Sequence, residues 1–306
     1  MVLTHIVTRA EAGLTLQQLL RGPMALSGRQ TRNAKAQGAV TVDAAPFFSN
    51  QKVREGMIVR VVLDGYDAPA NSAPHSAPPV KVVYEDDALL AVHKPALLQC
   101  HPSSSAPSGS DTLESRVHAY LGRAAHPVHR LDSETTGLVL FAKLPFVQAH
   151  LQQQMQEGTF QKRYEAWALG VPDPIEGEID APIMRENPDS FTRIVHPDGQ
   201  RAVSRYRMLE MHAFPNGQMV AHIALSPVTG RTHQLRVHMT HIGCPLLGDT
   251  RYFTEPSKAV SESLGLSYHQ LSAVSLSFIH PISGESICIS QPAVFSFSPK
   301  NDAFSG

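Results

Sequence analysis

Apolar and polar residues alternate along several segments of the chain, with the period of two that is typical of half-buried β-strands. Pairs of such segments flank turn residues and predict β-hairpins: 80–84 with 88–93, 202–211 with 218–225 around Pro215-Asn216-Gly217, and 271–278 with 286–290. Segments 137–143 and 159–169 predict two further strands. Because hairpins join segments that follow each other in the chain, these strands predict a mostly antiparallel sheet.

Fewer segments carry helix signals. Asp111, with Glu114 three residues later, forms a capping signature for a helix that runs to residue 121. Two further helices are predicted, one from Pro145 until Gly158 and one over 231–242. Together the elements predict an α+β fold in which a mixed, mostly antiparallel sheet dominates.

A change in composition divides the chain. Residues 66–79 lack apolar periodicity and are rich in Pro, Ala and Ser, which is typical of a linker. We therefore expect a small α/β module at 1–65, a larger domain at 80–296 and a C-terminal tail at 297–306. A chain of 306 residues with 42% hydrophobic content is long enough to bury the cores of two domains.

Neither a signal peptide nor a membrane span is predicted, because polar residues such as His5, Arg9 and Glu11 interrupt the apolar positions near the start of the chain. We expect a cytoplasmic protein. Cys100 and the other two cysteines, at 244 and 288, lie far apart without a paired spacing, so we expect free thiols rather than disulfides or a thiolate metal site.

The net charge of −1 hides an uneven distribution. Residues 1–65 carry eight Lys and Arg against four acids, a net charge of +4, whereas residues 80–306 carry eighteen against twenty-two, a net charge of −4. No acid lies between Glu11 and Asp43, where two short helices and a strand are predicted. Basic residues of this stretch, Arg29, Arg32 and Lys35, are candidates for contacts with phosphates, and a solvated helical face is the alternative.

The candidate chemistry lies in His129-Arg130-Leu131-Asp132, which stands shortly before an apolar strand. A carboxylate beside an arginine at the start of a strand suggests a catalytic aspartate, with a structural ion pair as the alternative. Further motifs occur in a fixed order around it: His93-Lys94-Pro95, Lys162-Arg163-Tyr164-Glu165-Ala166, Gly230-Arg231-Thr232-His233-Gln234-Leu235-Arg236 and Pro245-Leu246-Leu247-Gly248-Asp249.

This ordered set resembles the RluA/RluD-type pseudouridine synthases, which modify RNA, over roughly residues 80 to 295. The resemblance implies an isomerase that converts uridines of ribosomal or transfer RNA to pseudouridine. That reaction breaks the bond from C1′ to N1, rotates the uracil and joins C1′ to C5. It changes no redox state, so we expect no metal and no organic cofactor.

The resemblance also implies roles for three residues. Asp132 matches the indispensable carboxylate, which acts as a nucleophile or helps to detach the base. Tyr164 matches a tyrosine that lies against the uracil and helps to remove the C5 proton. Arg236 matches the arginine that pairs with the catalytic carboxylate and keeps it ionised.

Other residues of the same motifs are candidates for RNA contacts. Arg130 is expected to help extrude the target base or to fill its place. Arg231, in the first turn of the predicted helix, is a candidate for a phosphate or nucleobase contact, and His233 of the same motif is a third candidate. One departure from the family pattern is Leu97, which replaces a glycine, so we expect a different turn there.

Residues 1–65 resemble, in degenerate form, the RNA-binding module of the ribosomal-protein S-four type. The resemblance rests on 14–20, 27–30, 38–42 and 53–59, and Asp43-Ala44-Ala45 stands where that module usually has an Asn-Gly turn.

Three functions compete at this point. The leading hypothesis is a monomeric, cofactor-free RNA pseudouridine synthase, and the second is a non-catalytic RNA-binding or ribosome-assembly factor with the same fold. The third, a metal hydrolase, rests on sixteen histidines. His233 and His238 are five residues apart rather than four, and no acid lies between them, so we expect no metal site.

Overall fold

A computed structural model describes residues 2–24, 26, 28–62, 77–102, 110–214 and 217–296. The predicted tail at 297–306 and residues 66–76 of the predicted linker lie outside the described residues. So do the first two residues of the predicted turn at 215–217.

Residues 2–62 form a four-stranded antiparallel sheet with two short helices. The strands β1 (Val2–Ile6), β2 (Val40–Val42), β3 (Ala45–Pro46) and β4 (Ile58–Val62) lie in the order β1-β4-β2-β3, and the helices are α1 (Leu16–Arg21) and α2 (Gly28–Ala36). The Thr15 side chain begins α1 by accepting a hydrogen bond from the backbone N–H of Gln18. The prediction of two short helices before a strand is confirmed.

The turn between β2 and β3 is formed by Asp43 and Ala44. Asp43 and Ala44 have φ angles of 49° and 63°, which is the left-handed conformation that Asn-Gly turns adopt. The Asp43 carboxylate accepts a hydrogen bond from the backbone N–H of Ile58 at 2.9 Å. This bond stabilises a turn that Ala44 alone would disfavour.

The rest of the chain is built on a ten-stranded sheet. The further strands in chain order are β5 (Lys81–Glu85), β6 (Leu89–Lys94), β7 (His126–Pro127), β8 (Thr136–Ala142), β9 (Gln161–Leu169), β10 (Glu176–Asp180), β11 (Ile183–Arg185), β12 (Arg193–Val195), β13 (Val203–Ala213), β14 (Met219–Pro227), β15 (Leu271–Ile279) and β16 (Ser286–Ser290). Eight of them follow the order β10-β13-β14-β9-β15-β8-β6-β5, while β16 pairs with β15 and β7 with β8. β11 and β12 form a separate hairpin.

Helices are few, so the molecule is an α+β protein, as predicted. They are α3 (Leu113–Leu121), α4 (Pro145–Glu157), α5 (Gln234–His241) and α6 (Glu255–Ser263). Among the described strands, β8 with β15 is the parallel pair and the others are antiparallel. The pairs β5/β6, β13/β14 and β15/β16 confirm the three predicted hairpins.

Two predicted helix starts are wrong. α3 is capped by Thr112 and Ser115, not by Asp111 and Glu114, and Asp111 instead pairs with Arg116. α5 begins at Gln234, because His233 has a φ of 59° and lies outside helical geometry. Arg231 is therefore not in the first turn of α5.

Buried apolar side chains pack on both sides of the large sheet. One cluster contains Tyr164, Leu235 and Met239 and lies beneath the candidate site described below. A second cluster contains side chains of both sheets, for example Leu16 and Leu19 of α1 with Phe146 of α4. The small sheet therefore shares an apolar core with the large one.

Gly137 lies where β8 meets β15. Its φ is 110°, and a Cβ atom there would overlap the backbone N and O of Ala273. Only glycine permits this approach of the two strands.

Within the part of the chain that the structure describes, no helix has both the length and the apolar character needed to cross a membrane.

Candidate active site

The segment between β7 and β8 carries Asp132, and two buried side chains fix its course. Cys100 Sγ accepts a hydrogen bond from the Leu131 N–H at 3.2 Å, and the thiol donates to the Leu131 carbonyl at 3.3 Å. Lys94 is fully buried and its ammonium donates to the Ser133 carbonyl at 2.6 Å. The backbone on both sides of Asp132 is thus held from beneath.

The same ammonium shapes the loop after β6. Lys94 Nζ also donates to the carbonyls of Pro95 and Leu98, both at 2.8 Å, and burial lowers the pKa of Lys94 to about 8. Between those two carbonyls Leu97 adopts a φ of 62°. The expectation of a different turn at Leu97 is wrong. The Leu97 side chain is exposed, and the hydrogen bonds from Lys94 hold the loop in a conformation that leucine by itself disfavours.

Arg236 on α5 joins two carboxylates. Its Nη1 lies 3.2 Å from Asp132 Oδ2, while Nε and Nη2 form a bidentate pair with Asp249 at 2.7 and 2.8 Å. The Asp249 side chain is completely buried, whereas 31% of the Asp132 side chain is exposed. Asp249 therefore orients the guanidinium, and Asp132 presents a carboxylate that a substrate can reach.

Charge stabilises this arrangement. Burial by itself would lower the pKa of Arg236, but the hydrogen bonds and charge of Asp249 outweigh it and raise that pKa above its usual range. Burial would raise the pKa of Asp249, and the hydrogen bonds and charge of Arg236 lower it instead. Both groups are therefore ionised at neutral pH.

His233 and Tyr252 complete the surroundings of Asp132. The Tyr252 hydroxyl accepts a hydrogen bond from the Arg193 N–H and lies 2.8 Å from His233 Nδ1, and the Tyr252 ring lies 5.0 Å from the Arg236 guanidinium carbon. His233 Nε2 is 3.9 Å from Asp132 Oδ2. Burial lowers the pKa of His233 to about 4, so its imidazole is neutral and Arg236 carries the positive charge beside Asp132.

Asp132, Tyr164 and Arg236 line one cavity of about 180 Å³. Tyr164 on β9 is 7% exposed, and burial together with the charge of Asp132 raises its pKa, so the phenol is neutral. The structure thus brings the three predicted catalytic residues together from a loop, a strand and a helix.

Arg130 and Arg231 line the same cavity at its exposed rim. Arg130 Nη1 lies 3.4 Å from His101 Nε2. Arg231 donates through Nε to the Arg201 carbonyl and through Nη1 to Gln200 Oε1, both at 3.0 Å. None of the ion pairs between described residues involves either guanidinium, so their charges are available to an anionic ligand.

The predicted basic residues of the N-terminal module lie elsewhere. Arg29, Arg32 and Lys35 are on α2, Arg32 is exposed, and Lys35 donates to Gln17 Oε1 at 3.3 Å. For Arg29, the structure describes the backbone and not the side chain. The residues described as lining the cavity come from 130–271, so α2 is not part of this site.

The histidines do not form a metal centre in the described parts of the chain, where no group of three or more metal-ligating side chains occurs. His238 is fully buried, with Nδ1 2.9 Å from Ser204 Oγ and Nε2 2.9 Å from the Ala181 carbonyl. It is a structural histidine whose two ring nitrogens both have partners.

Sequence reasoning assigned no role to Asp249 or Tyr252. Asp249 is the last residue of the ordered motif Pro245-Leu246-Leu247-Gly248-Asp249, and its place in that motif was the available signal. Tyr252 gave no signal, because its contacts with His233 and Arg236 depend on the fold.

Comparison with known proteins shows which family has these motifs. The family model described as RNA pseudouridylate synthase matches residues 88–241, which contain Asp132, Tyr164 and Arg236. The chain is 35% identical over 254 residues to ribosomal large subunit pseudouridine synthase D of Haemophilus influenzae, covering 79% of this chain and 76% of that protein. It is 34% identical over 264 residues to ribosomal large subunit pseudouridine synthase C of Vibrio cholerae, covering 83% and 81%.

A solved structure agrees on the fold. The human RNA pseudouridylate synthase domain containing 1 superposes with a TM-score of 0.60 at 23% identity, covering 74% of this chain and 88% of that one. The sequence matches and the fold together show that this chain belongs to the RluA/RluD-type family of RNA pseudouridine synthases and is an isomerase that acts on RNA.

Proposed function

We propose that the protein converts specific uridines of large-subunit ribosomal RNA to pseudouridine in the cytoplasm, as a monomer and without metal or organic cofactor. The choice of RNA is supported by the names of its relatives, which are ribosomal large subunit synthases. The observation that carries the chemistry is the partly exposed Asp132 carboxylate, held by a buried Arg236 in the cavity that Tyr164 also lines.

Asp132 is the catalytic carboxylate in this proposal. It attacks the sugar, attacks the uracil or assists detachment of the base, and Arg236 Nη1, 3.2 Å from Oδ2, orients it for that role. After C1′ has separated from N1, the uracil turns within the cavity and C5 joins C1′. No atom is lost except the C5 proton, which is balanced by the proton that N1 gains.

Tyr164 holds the base and takes part in moving the C5 proton. Its phenol is neutral in the resting site, because burial and Asp132 raise its pKa. Removal of a proton by its oxygen therefore has to accompany loss of its own proton to a neighbouring acceptor. Arg130, Arg231 and His233 contact the RNA around the target nucleotide, and the module at 1–65 adds affinity through Arg29, Arg32 and Lys35.

Replacement of the carboxylate tests the proposal directly. We expect Asp132→Asn to abolish pseudouridine formation in large-subunit ribosomal RNA, because it removes charge and nucleophilicity with little change in volume. Pseudouridines are mapped in RNA from cells that lack the gene and carry either variant. Asp198→Asn, at an 87% exposed side chain, is the matched control. Normal modification with Asp132→Asn would overturn the assignment of Asp132.

A further inference from the structure

A groove leaves the active-site cavity and runs along the C-terminal half of α4. The groove is also lined by Gln152 and Gln156 of α4. The residues that it shares with the cavity are Arg130, Lys162, Pro227, Thr229 and Gly230. Its volume is about 720 Å³, four times that of the cavity. The groove therefore adjoins the cavity, and a strand with its target nucleotide in the cavity has the groove beside it.

The groove is basic. Arg130, Lys162, Arg163 and Arg205 line it, and no Asp or Glu is among the described residues of its lining. This concentration of positive charge lies in a region, 80–306, that has a net charge of −4. It is therefore a local feature and does not follow from the overall composition.

Most of these cations lack a carboxylate partner. Arg205 pairs with Glu178 at 2.9 Å, and both side chains are exposed. None of the ion pairs between described residues involves Arg130, Lys162 or Arg163. Burial lowers the pKa of Lys162, so an anion nearby would stabilise its charged form. Uncompensated cations along a groove favour an anionic ligand.

We propose that this groove binds the phosphates of the RNA strand that continues from the target uridine on one side. Lys162 lies between cavity and groove and would contact the first phosphate, with Arg163 and Arg205 further along. Val228, which is 49% exposed, and Met155 give bases an apolar surface. An unpaired strand can turn its bases toward this apolar surface, whereas a duplex keeps its bases stacked inside, so the occupant is a single strand. The inference rests on the proposed function.

The test is the double variant Arg163→Gln/Arg205→Gln, with Lys258→Gln on α6 as a control outside the groove. Binding is measured against salt concentration with an oligouridylate of about 12 nucleotides and with a uridine trinucleotide. Loss of two phosphate contacts lowers the salt slope by about 1.4 and weakens binding of the longer RNA about tenfold at physiological salt. We expect the trinucleotide affinity and the melting temperature to be unchanged.

Three outcomes would show that the groove does not bind the strand. The double variant could keep the salt slope of the wild-type protein, Lys258→Gln could weaken binding of the longer RNA equally, or the double variant could lose as much affinity for the trinucleotide as for the longer RNA. These outcomes are separate from failure of the proposed function. If wild-type protein forms no pseudouridine in large-subunit RNA while the double variant shows the expected loss, the RNA assignment fails and the groove stands.

Discussion

Arg236 contacts its two carboxylate partners with different geometry. The bidentate pair with the buried Asp249 is rigid and closed to solvent, whereas the contact with Asp132 uses one nitrogen and leaves the carboxylate open to the cavity. Removal of Arg236 would leave Asp249 as an uncompensated buried charge, which is a large cost in a protein interior.

We therefore expect Arg236→Ala to lower the free energy of unfolding by about 3–5 kcal/mol and to abolish activity. Adding Asp249→Asn should restore part of the stability, because the stranded charge is gone, but none of the activity. Urea unfolding and pseudouridine assays measure both effects. If the two substitutions destabilise additively, the pair is not coupled and this account is wrong.

For Tyr164→Phe we expect the single-turnover rate to fall while RNA affinity is retained, since the ring remains and the oxygen is lost. Tyr206→Phe is a suitable control, because Tyr206 is also buried and does not line the cavity. A loss that is due wholly to weaker binding would contradict a role in proton transfer.

At this scale the sequence predicted Asp132, Tyr164 and Arg236, which the structure places in one cavity. The sequence could not predict the role of Tyr252. Tyr252 contacts His233, 19 residues earlier in the chain, and that contact depends on where α5 and the following turn lie. The turn at Leu97 was mispredicted for a related reason: the buried Lys94 that fixes the loop is a tertiary feature.

Among the secondary-structure elements, the parallel pairing of β8 with β15 sets the distance between Asp132 and Tyr164. β8 follows the Asp132 segment, and β15 separates β8 from β9, which carries Tyr164. Gly137 sits at the pairing of β8 with Ala273 of β15. Any side chain there would push the two halves of the site apart.

Gly137→Ala should therefore destabilise the protein by about 3 kcal/mol and reduce activity in the protein that remains folded. Gly122→Ala is the control, because Gly122 also has a positive φ, at 65°, but has open space for a Cβ atom, so it should cost about 1 kcal/mol. Thermal unfolding distinguishes the two. If Gly137→Ala and Gly122→Ala destabilise the protein equally, the positive φ explains the glycine at 137, and its close approach to Ala273 does not.

Most strands and the three predicted helices of the large domain could be predicted, because their apolar periodicity and turn residues are local signals. α6 and the strands β7 and β10 to β12 were missed. β11 and β12 are three residues each, too short for periodicity to be visible. The start of α5 was misplaced because His233 takes a left-handed conformation, which its residue type does not announce.

Over the whole molecule, the small sheet and the large sheet share one apolar cluster. The N-terminal module is therefore a poor candidate for removal, since truncation would expose that apolar surface to water. Its role is better tested by changing exposed charges in the full chain.

We expect Arg32→Gln/Lys35→Gln to weaken binding of large-subunit RNA and to make its salt dependence shallower, because fewer counterions are released. Arg9→Gln, an exposed position outside α2, is the control. Filter binding over a range of salt concentrations measures the slope. If the double variant has the same salt dependence of binding as the wild-type protein, the charged face of α2 is solvated and binds no phosphate.

Arg236 lies between two carboxylates, whereas Arg130 and Arg231, which are exposed and line the same cavity, take part in none of the ion pairs between described residues. A phosphate is therefore attracted more strongly to the two exposed arginines than to Arg236. This difference favours a nucleotide that enters with its uncharged base toward Asp132 and keeps its phosphates outside. By neutralising Arg236, the buried Asp249 removes a cation that would otherwise draw a phosphate toward Asp132.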